Sequence, residues 1–421
     1  MNPSLPWPET PEGGVLGDGR YALATDRPRT AEGLAESIRE RVALGWAIYP
    51  QGGRTALDYG GPPARPGLAL DVTGIHQVID YPHADMTITI EAGMTLAALE
   101  RVLGEQNQRV LLDSPEGDRA TIGGILATGS TGPRRFGMGR PRDQIIGVSF
   151  VSSDGELLKG GGRVVKNVAG YDFPKLLTGS MGTLGVITQA TLKVRPKPES
   201  TAVVWAPLID GDALDRALER LNVSETRPVA LELLNASAAS RIAMSADLPA
   251  GRFVVVLGFE DNADSVAWQL ERIRLELDSP ELVVAVGVDS EPIWRALVEF
   301  PAEAPGPIAF QANIRPRSVA AFVERLDPGR WRARAHAGNG IVQAQALGEW
   351  SLEEAEAELV ALRSTAVADD GNLILPRCPT GWKTRLGVWG DPRDDWSLAK
   401  RVKGALDPSG SLNPGRFVDS V

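Results

Sequence analysis

Glycines in the first 200 residues fall at the ends of short apolar runs, and this placement constrains the fold more than any other feature of the 421-residue chain. The run over residues 46–49 opens directly into Pro50, Gln51, Gly52, Gly53, Arg54 and Thr55. Further glycines stand at 123 and 124, 129, 132, 160–162, 179, 182 and 185. A strand that ends in backbone without Cβ atoms leaves N–H groups open to an anion such as a diphosphate, with no basic side chain required. Any one of these glycines equally satisfies a simple turn. Their repetition within one region favours the anion-binding arrangement.

Periodicity predicts a helix over residues 31–44 closed by Gly45, strands over 46–49, 68–72 and 86–91, and a helix over 96–103. A strand over 144–151 turns at Ser153, Asp154 and Gly155 and returns over 156–158, the Asp-Gly pair marking a hairpin. One more strand spans 184–194, and Arg195, Pro196, Lys197 and Pro198 mark a domain boundary. Beyond it, strands over 202–205, 229–234, 253–259, 282–288, 308–314, 331–336 and 341–346 alternate with amphipathic helices, including 265–277 and 352–362. That alternation reads as an α+β domain, a largely antiparallel sheet with helices on one face. The division expected is an irregular leader over residues 1–25 that need not pack, a first domain over 26–198, a second over 199–400, and a tail over 401–421.

Charge and composition narrow the function. Lys and Arg number 44 against 54 Asp and Glu, a net charge of −10, which offers no field attractive to nucleic acid. The single cysteine, Cys378, excludes intrachain disulfides and any iron–sulfur cluster held by this chain alone. With only His76, His83 and His336 available, a zinc site would need carboxylates to complete it, so no metal site is predicted. Apolar runs such as 253–259 are of strand length, far short of the about 20 residues of a spanning helix. The N-terminal residues lack a basic and an apolar region in succession, so no signal peptide is read and a cytoplasmic chain is expected.

There is no Gly-x-x-x-x-Gly-Lys-Ser/Thr, and the glycines at 179, 182 and 185 depart from Gly-x-Gly-x-x-Gly and precede a strand-like run. A P-loop and a Rossmann fingerprint are therefore disfavoured. Five segments carry a different pattern: Gln51-Gly-Gly-Arg-Thr55, Glu91-Ala-Gly-Met-Thr95, Thr121-Ile-Gly-Gly124, Arg142-Asp143, and Gly179-Ser-Met-Gly-Thr-Leu-Gly-Val-Ile-Thr188. Together they resemble the FAD-binding domain of the vanillyl-alcohol oxidase superfamily, also called PCMH-type, over residues 30–198. Lys166-Asn-Val-Ala-Gly-Tyr-Asp172, Gly132-Pro-Arg-Arg135 and Leu412-Asn-Pro-Gly-Arg416 resemble one branch of it, the FAD-binding (E) subunit of bacterial glycolate oxidase.

The resemblance implies a two-part PCMH-type FAD-binding domain followed by an α+β cap with a mainly antiparallel sheet. It assigns Gln51, Gly52, Gly53, Arg54 and Thr55, with Thr121, Ile122, Gly123 and Gly124, to the FAD diphosphate through backbone N–H groups. Gly185, Val186 and Ile187 lie toward adenine, and Asn413 and Arg416 return in the tail to finish the flavin pocket. Covalent members attach flavin through a histidine in the first loop, where this chain has Arg54 and Thr55, so a non-covalent cofactor is implied. Gly132, Arg134 and Arg135 are candidates for a carboxylate or phosphate, guanidinium being suited to both; the alternative is a solvated basic turn. Lys166, Asn167, Tyr171 and Asp172 either line the flavin or form an ordinary turn.

No catalytic residue is assigned, Arg135 and His336 being the candidates. His336 opens His336-Ala-Gly-Asn-Gly340, similar to the His-x-Gly-x-Gly in the cap of D-2-hydroxyacid dehydrogenases, but Ile341 and Val342 occupy the ground where a second histidine normally follows. The alternative is a hairpin turning at residues 338–340.

By resemblance the chain is the FAD-binding subunit of a glycolate oxidase-like dehydrogenase that oxidises glycolate or D-lactate to the 2-oxo acid. Its implied partners are a second flavoprotein subunit and an iron–sulfur subunit, with any membrane association through them. Two other readings stand beside it: a stand-alone FAD oxidase of another alcohol or hydroxy acid, and a flavin-fold assembly subunit without catalysis.

Overall fold

The computed structural model describes residues 5–162, 170–277 and 279–418. The chain forms two compact units, one of residues 1–131, 140–196 and 379–421, the other of 132–139 and 197–378. The segment Gly132–Gly139 thus joins the second unit, and the residues after Cys378 return to the first.

The first unit holds two main sheets. In the smaller, Gly67–Asp71 lies between Ala24–Asp26 and Ala47–Gln51, all parallel. Strands covered on both faces read as continuous apolar runs, as Leu68, Ala69 and Leu70 do. Helix Ala31–Ala43 forms because Leu34 and Ile38 share one face, and Thr30 caps it by accepting from the Gly33 N–H. That face packs on Ile48, Leu68 and Leu70. The C-terminal tail runs beside the same sheet, with Ile48 N–H donating to Ser411 O and Asn413 N–H to Ile48 O, each at 2.8 Å.

The larger sheet has the order Leu157–Gly161, Ile145–Val151, Val186–Lys193, Thr87–Glu91, Val78–Asp80 and is antiparallel. The hairpin expected at Asp154 and Gly155 is present, pairing Leu157 with Val151. Helices Leu96–Gly104 and Ile122–Thr128 contribute Leu99, Leu103, Ile122, Ile125 and Leu126 to its core.

Two expectations are corrected here. The described part of the leader, from residue 5 on, packs: Val15–Gly17 pairs with Arg20–Tyr21, and Leu16, Asp18 and Ala22 are buried. Its apolar residues are too few for a visible period, but they close one side of the parallel sheet with Tyr49 and Ala69. The second correction concerns Thr121, Ile122, Gly123 and Gly124, which are the first turn of a helix and not an open loop, Thr121 capping it through the Gly124 N–H. A capping threonine overrides the turn tendency of the two glycines.

The second unit is built on one antiparallel sheet of eight strands. Their order is Val283–Val286, Ser200–Leu208, Phe253–Asp261, Ala230–Asn235, Trp331–His336, Ile341–Ala346, Ala309–Asn313 and Asn372–Arg377. Trp205, Leu234, Val254, Val256, Trp294 and Phe300 form a core against helices Ala236–Ala243 and Glu291–Glu299. Gly258 admits Trp294, because a Cβ there would overlap the indole ring. The strand expected over 282–288 stops at Val286, where Gly287, at φ 59°, turns the chain.

Candidate active site

A cleft open to solvent lies within the first unit. Residues 49–57 form one wall. Strand Ala47–Gln51 delivers them, and two close approaches hold the loop that follows. A Cβ on Gly52 would overlap the Thr121 hydroxyl, and one on Gly53 would overlap the Arg119 carbonyl. Arg119 in turn donates to Gly53 O at 3.2 Å. Only glycine allows this contact, which is why the pair is there. Arg54 follows at φ 59°, with its guanidinium 3.7 Å from Asp71.

Among the described residues, the N–H groups of Gly52, Gly53, Arg54, Thr55 and Ala56 meet no protein acceptor. Gln51 is buried; its Nε2 donates to Val15 O at 2.7 Å, while its Oε1 has no partner. These open groups belong to the wall of one cleft.

The second expected source of N–H groups is already engaged. Ile122 donates to Met94 O at 2.9 Å, Gly123 to Ala92 O at 2.8 Å, and Gly124 to the Thr121 hydroxyl. Thr121, Gly123 and Gly124 still line the cleft, whereas Ile122 points into the core. These residues shape the site and do not offer those N–H groups to an anion. Gly185, Val186 and Ile187 also line it, and Gly185 leaves room for the Phe150 ring.

The tail supplies Asn413 and Arg416. Asn413, at φ 46°, donates its side-chain amide to Met181 O. Arg416 donates to Asp18 at 2.6 Å, to Gly61 O at 3.0 Å and to Leu16 O. Asp18 also meets Lys383 Nζ at 2.6 Å, so one buried carboxylate ties two cations from the C-terminal segment. Lys403 adds a second clamp, donating at 2.7 Å each to Thr183 O, Leu412 O and Asp407. Nothing local to Asp18, Lys383 or Lys403 marks them in the sequence.

Tyr49 and Tyr59, also in the wall, carry no motif signal either. Burial pushes both phenols up to about 12. Tyr49 donates to Arg65 O at 2.6 Å.

Several sequence candidates lie elsewhere. Gly132, Arg134 and Arg135 belong to the second unit. There Arg134 pairs with Glu260 at 2.8 Å and lies over the Trp294 ring at 4.1 Å, and Arg135 starts the short helix Arg135–Met138. Tyr171 is 83% exposed, does not line the cleft, and meets the Phe173 ring edge-on. The neighbouring Asp172 caps helix Phe173–Leu177 through the Lys175 N–H and pairs with Lys175 Nζ at 2.7 Å. Lys166 and Asn167 lie outside the described residues.

His336 ends strand Trp331–His336, and the hairpin to Ile341–Ala346 closes through a tight turn over Ala337–Asn339. Its Nδ1 lies 2.7 Å from Glu232 Oε1, and Arg334 Nε is 3.6 Å from the other carboxylate oxygen. Burial pushes the imidazole below its ordinary pKa, outweighing the pull of Glu232, and Arg334 and Arg135 push the same way. The neutral ring donates from Nδ1 to Glu232, which leaves Nε2 unprotonated, buried and without a partner.

Residues 22–161 match the family model described as FAD binding domain, and residues 391–417 match the model described as FAD linked oxidases, C-terminal domain. Residues 22–161 thus resemble an FAD binding domain. The cleft lies in the unit that holds residues 391–417 and all of 22–161 except 132–139. The chain is 34% identical over 192 residues to a D-2-hydroxyglutarate dehydrogenase of Xanthomonas citri pv. viticola, covering 46% of this chain and 41% of that protein. It is 34% identical over 172 residues to the glycolate oxidase subunit GlcE of Escherichia coli, covering 41% of this chain and 49% of that protein. The matches thus span about half the length of these relatives. The solved structure of an alkyldihydroxyacetonephosphate synthase superposes with a TM-score of 0.64 at 18% identity, over 93% of this chain and 75% of that one, and shares the fold.

The cleft fits FAD. Five consecutive N–H groups without protein acceptors suit a diphosphate, and the unpartnered Gln51 Oε1 offers an acceptor beside them. No described helix is long and apolar enough to cross a membrane.

Proposed function

We propose that this protein binds FAD non-covalently in the cleft and acts as the FAD-binding subunit of a 2-hydroxyacid dehydrogenase of the glycolate oxidase kind. The observation that carries the reading is the run of open N–H groups over residues 52–56, held in place by the glycine contacts to Arg119 and Thr121. Bound FAD supplies the electron acceptor for oxidation of the alcohol carbon. Support for a 2-hydroxy acid as substrate comes from the names of two relatives, a D-2-hydroxyglutarate dehydrogenase and a glycolate oxidase subunit.

In this reading the 52–56 amides hold the diphosphate, Gly185, Val186 and Ile187 bound the nucleotide, and Asn413 and Arg416 close the pocket. Arg54 and Thr55 offer no histidine for attachment, which supports non-covalent binding. His336 is buried in the second unit and does not line the cleft, so this reading gives it no part in the chemistry. In the same reading electrons pass from FAD to partner subunits, a second flavoprotein and an iron–sulfur protein, through which any membrane association arises; the sole thiol, Cys378, holds no cluster by itself.

The test is titration of FAD with the purified chain, followed by anaerobic addition of glycolate or D-lactate. Quenching of FAD fluorescence and bleaching of the flavin bands are expected. A chain that leaves FAD fluorescence unchanged sinks the proposal. Bleaching that appears only after partner subunits are added assigns substrate oxidation to the assembly.

A further inference from the structure

We propose that the Tyr59 hydroxyl is a hydrogen-bonding contact to the FAD held in the cleft, an inference that rests on the FAD-binding reading above. Tyr59 lines the cleft just beyond the open amides. Its ring lies against Trp389, with centroids 5.4 Å apart and planes at 37°, and Trp389 meets Phe417 edge-on at 5.3 Å. Trp389 Nε1 donates to Arg416 O at 3.1 Å, and the Gly61 N–H donates to the same carbonyl at 3.1 Å. Gly60 sits at φ 86°, where a Cβ would overlap that carbonyl. The tyrosine is therefore braced from behind by groups that are themselves fixed.

Its hydroxyl, by contrast, has no hydrogen-bond partner among the described residues. Tyr49, in the same wall, shows the usual arrangement, with its hydroxyl on Arg65 O. The residue is half-buried and its hydroxyl faces the open cleft, so a braced phenol with no protein partner there is free to donate to what the cleft binds. Its pKa, raised by burial to about 12, keeps the proton on the oxygen across the neutral range. Tyr59 thus presents a permanent donor, and the phosphate and carbonyl oxygens of FAD are acceptors that match it.

The experiment is a fluorescence titration of FAD with wild type, Tyr59→Phe and Trp389→Phe, each melted without FAD as a fold control. Wild type binds, and Tyr59→Phe binds about 5- to 10-fold more weakly with an unchanged apo melting temperature, as expected for one lost hydrogen bond. Trp389→Phe, which disturbs the brace and leaves the hydroxyl, weakens binding less. Equal affinity of Tyr59→Phe and wild type overturns the proposal, as does a loss that Trp389→Phe reproduces in full, since packing would then account for it. Failure of wild type itself to quench FAD is a different result: it removes the FAD-binding reading.

Discussion

His336 and Glu232 are register partners on neighbouring antiparallel strands, and their side chains meet at 2.7 Å between Nδ1 and Oε1, both buried. Cross-strand partners point to the same face, so the pairing of backbone positions places the carboxylate against the ring. Arg334, two residues back on the strand and on the same face, reaches the other carboxylate oxygen. Glu232 is thus shared between a cation and a neutral imidazole.

Acid should weaken the fold through His336. Its pKa in the folded chain lies below the ordinary 6.5, so the unfolded chain binds the extra proton first. The contribution is fully present above about pH 6.5 and is lost as pH falls through the lower folded value. The denaturation midpoint is expected to drop on acidification in this window, and His336→Gln should flatten the drop. An unchanged slope in the variant would remove His336 as its source.

Asp18→Asn should loosen the tail. The substitution leaves Arg416 and Lys383 buried without the carboxylate they share, at a cost of about 3–5 kcal/mol. Thermal unfolding measures the loss, and limited proteolysis should cut the C-terminal segment sooner than in wild type. A melting temperature equal to that of wild type contradicts the clamp.

Two glycine substitutions should act with opposite sign. Gly53→Ala forces the loop away from the Arg119 carbonyl, costing about 1–3 kcal/mol and weakening FAD binding. Gly404→Ala, in helix Trp396–Leu406 where a Cβ meets open space, should stabilise by about 0.5–1 kcal/mol. Denaturant midpoints of the two variants give the comparison directly.

Lys403→Met tests the second clamp. Burial pushes the Asp407 carboxyl up, but Lys403 and the N–H groups of Leu412 and Ser411 outweigh it and hold the pKa below the ordinary 3.8. That stabilisation is present above about pH 3.8 and is lost as pH falls through the folded value. Removal of Lys403 should cost about 3 kcal/mol near neutrality and shrink the acid-dependent loss, both read from midpoints across pH.

Local signals were legible where their cause lies within a few residues. Thr30 before the Leu34 and Ile38 face, the Asp154-Gly155 hairpin, and the glycines after Tyr49 each follow from backbone geometry near the residue concerned. The Thr121 segment misled because paired glycines suggest a loop, while a capping hydroxyl and engaged amides made a helix.

By itself the sequence determined the α+β class, the antiparallel sheet of the second unit, and the glycine loop whose N–H groups stay open to a cofactor. Only the tertiary structure decided that Asp18 gathers Lys383 and Arg416, that Glu232 faces His336, and that Tyr59 is braced in the cleft wall without a partner. Helices, hairpins and caps are short-range equilibria of the backbone, readable from neighbouring residues. The partner of a buried charge or phenol is chosen by which distant segments pack together, and no spacing along the chain records that choice.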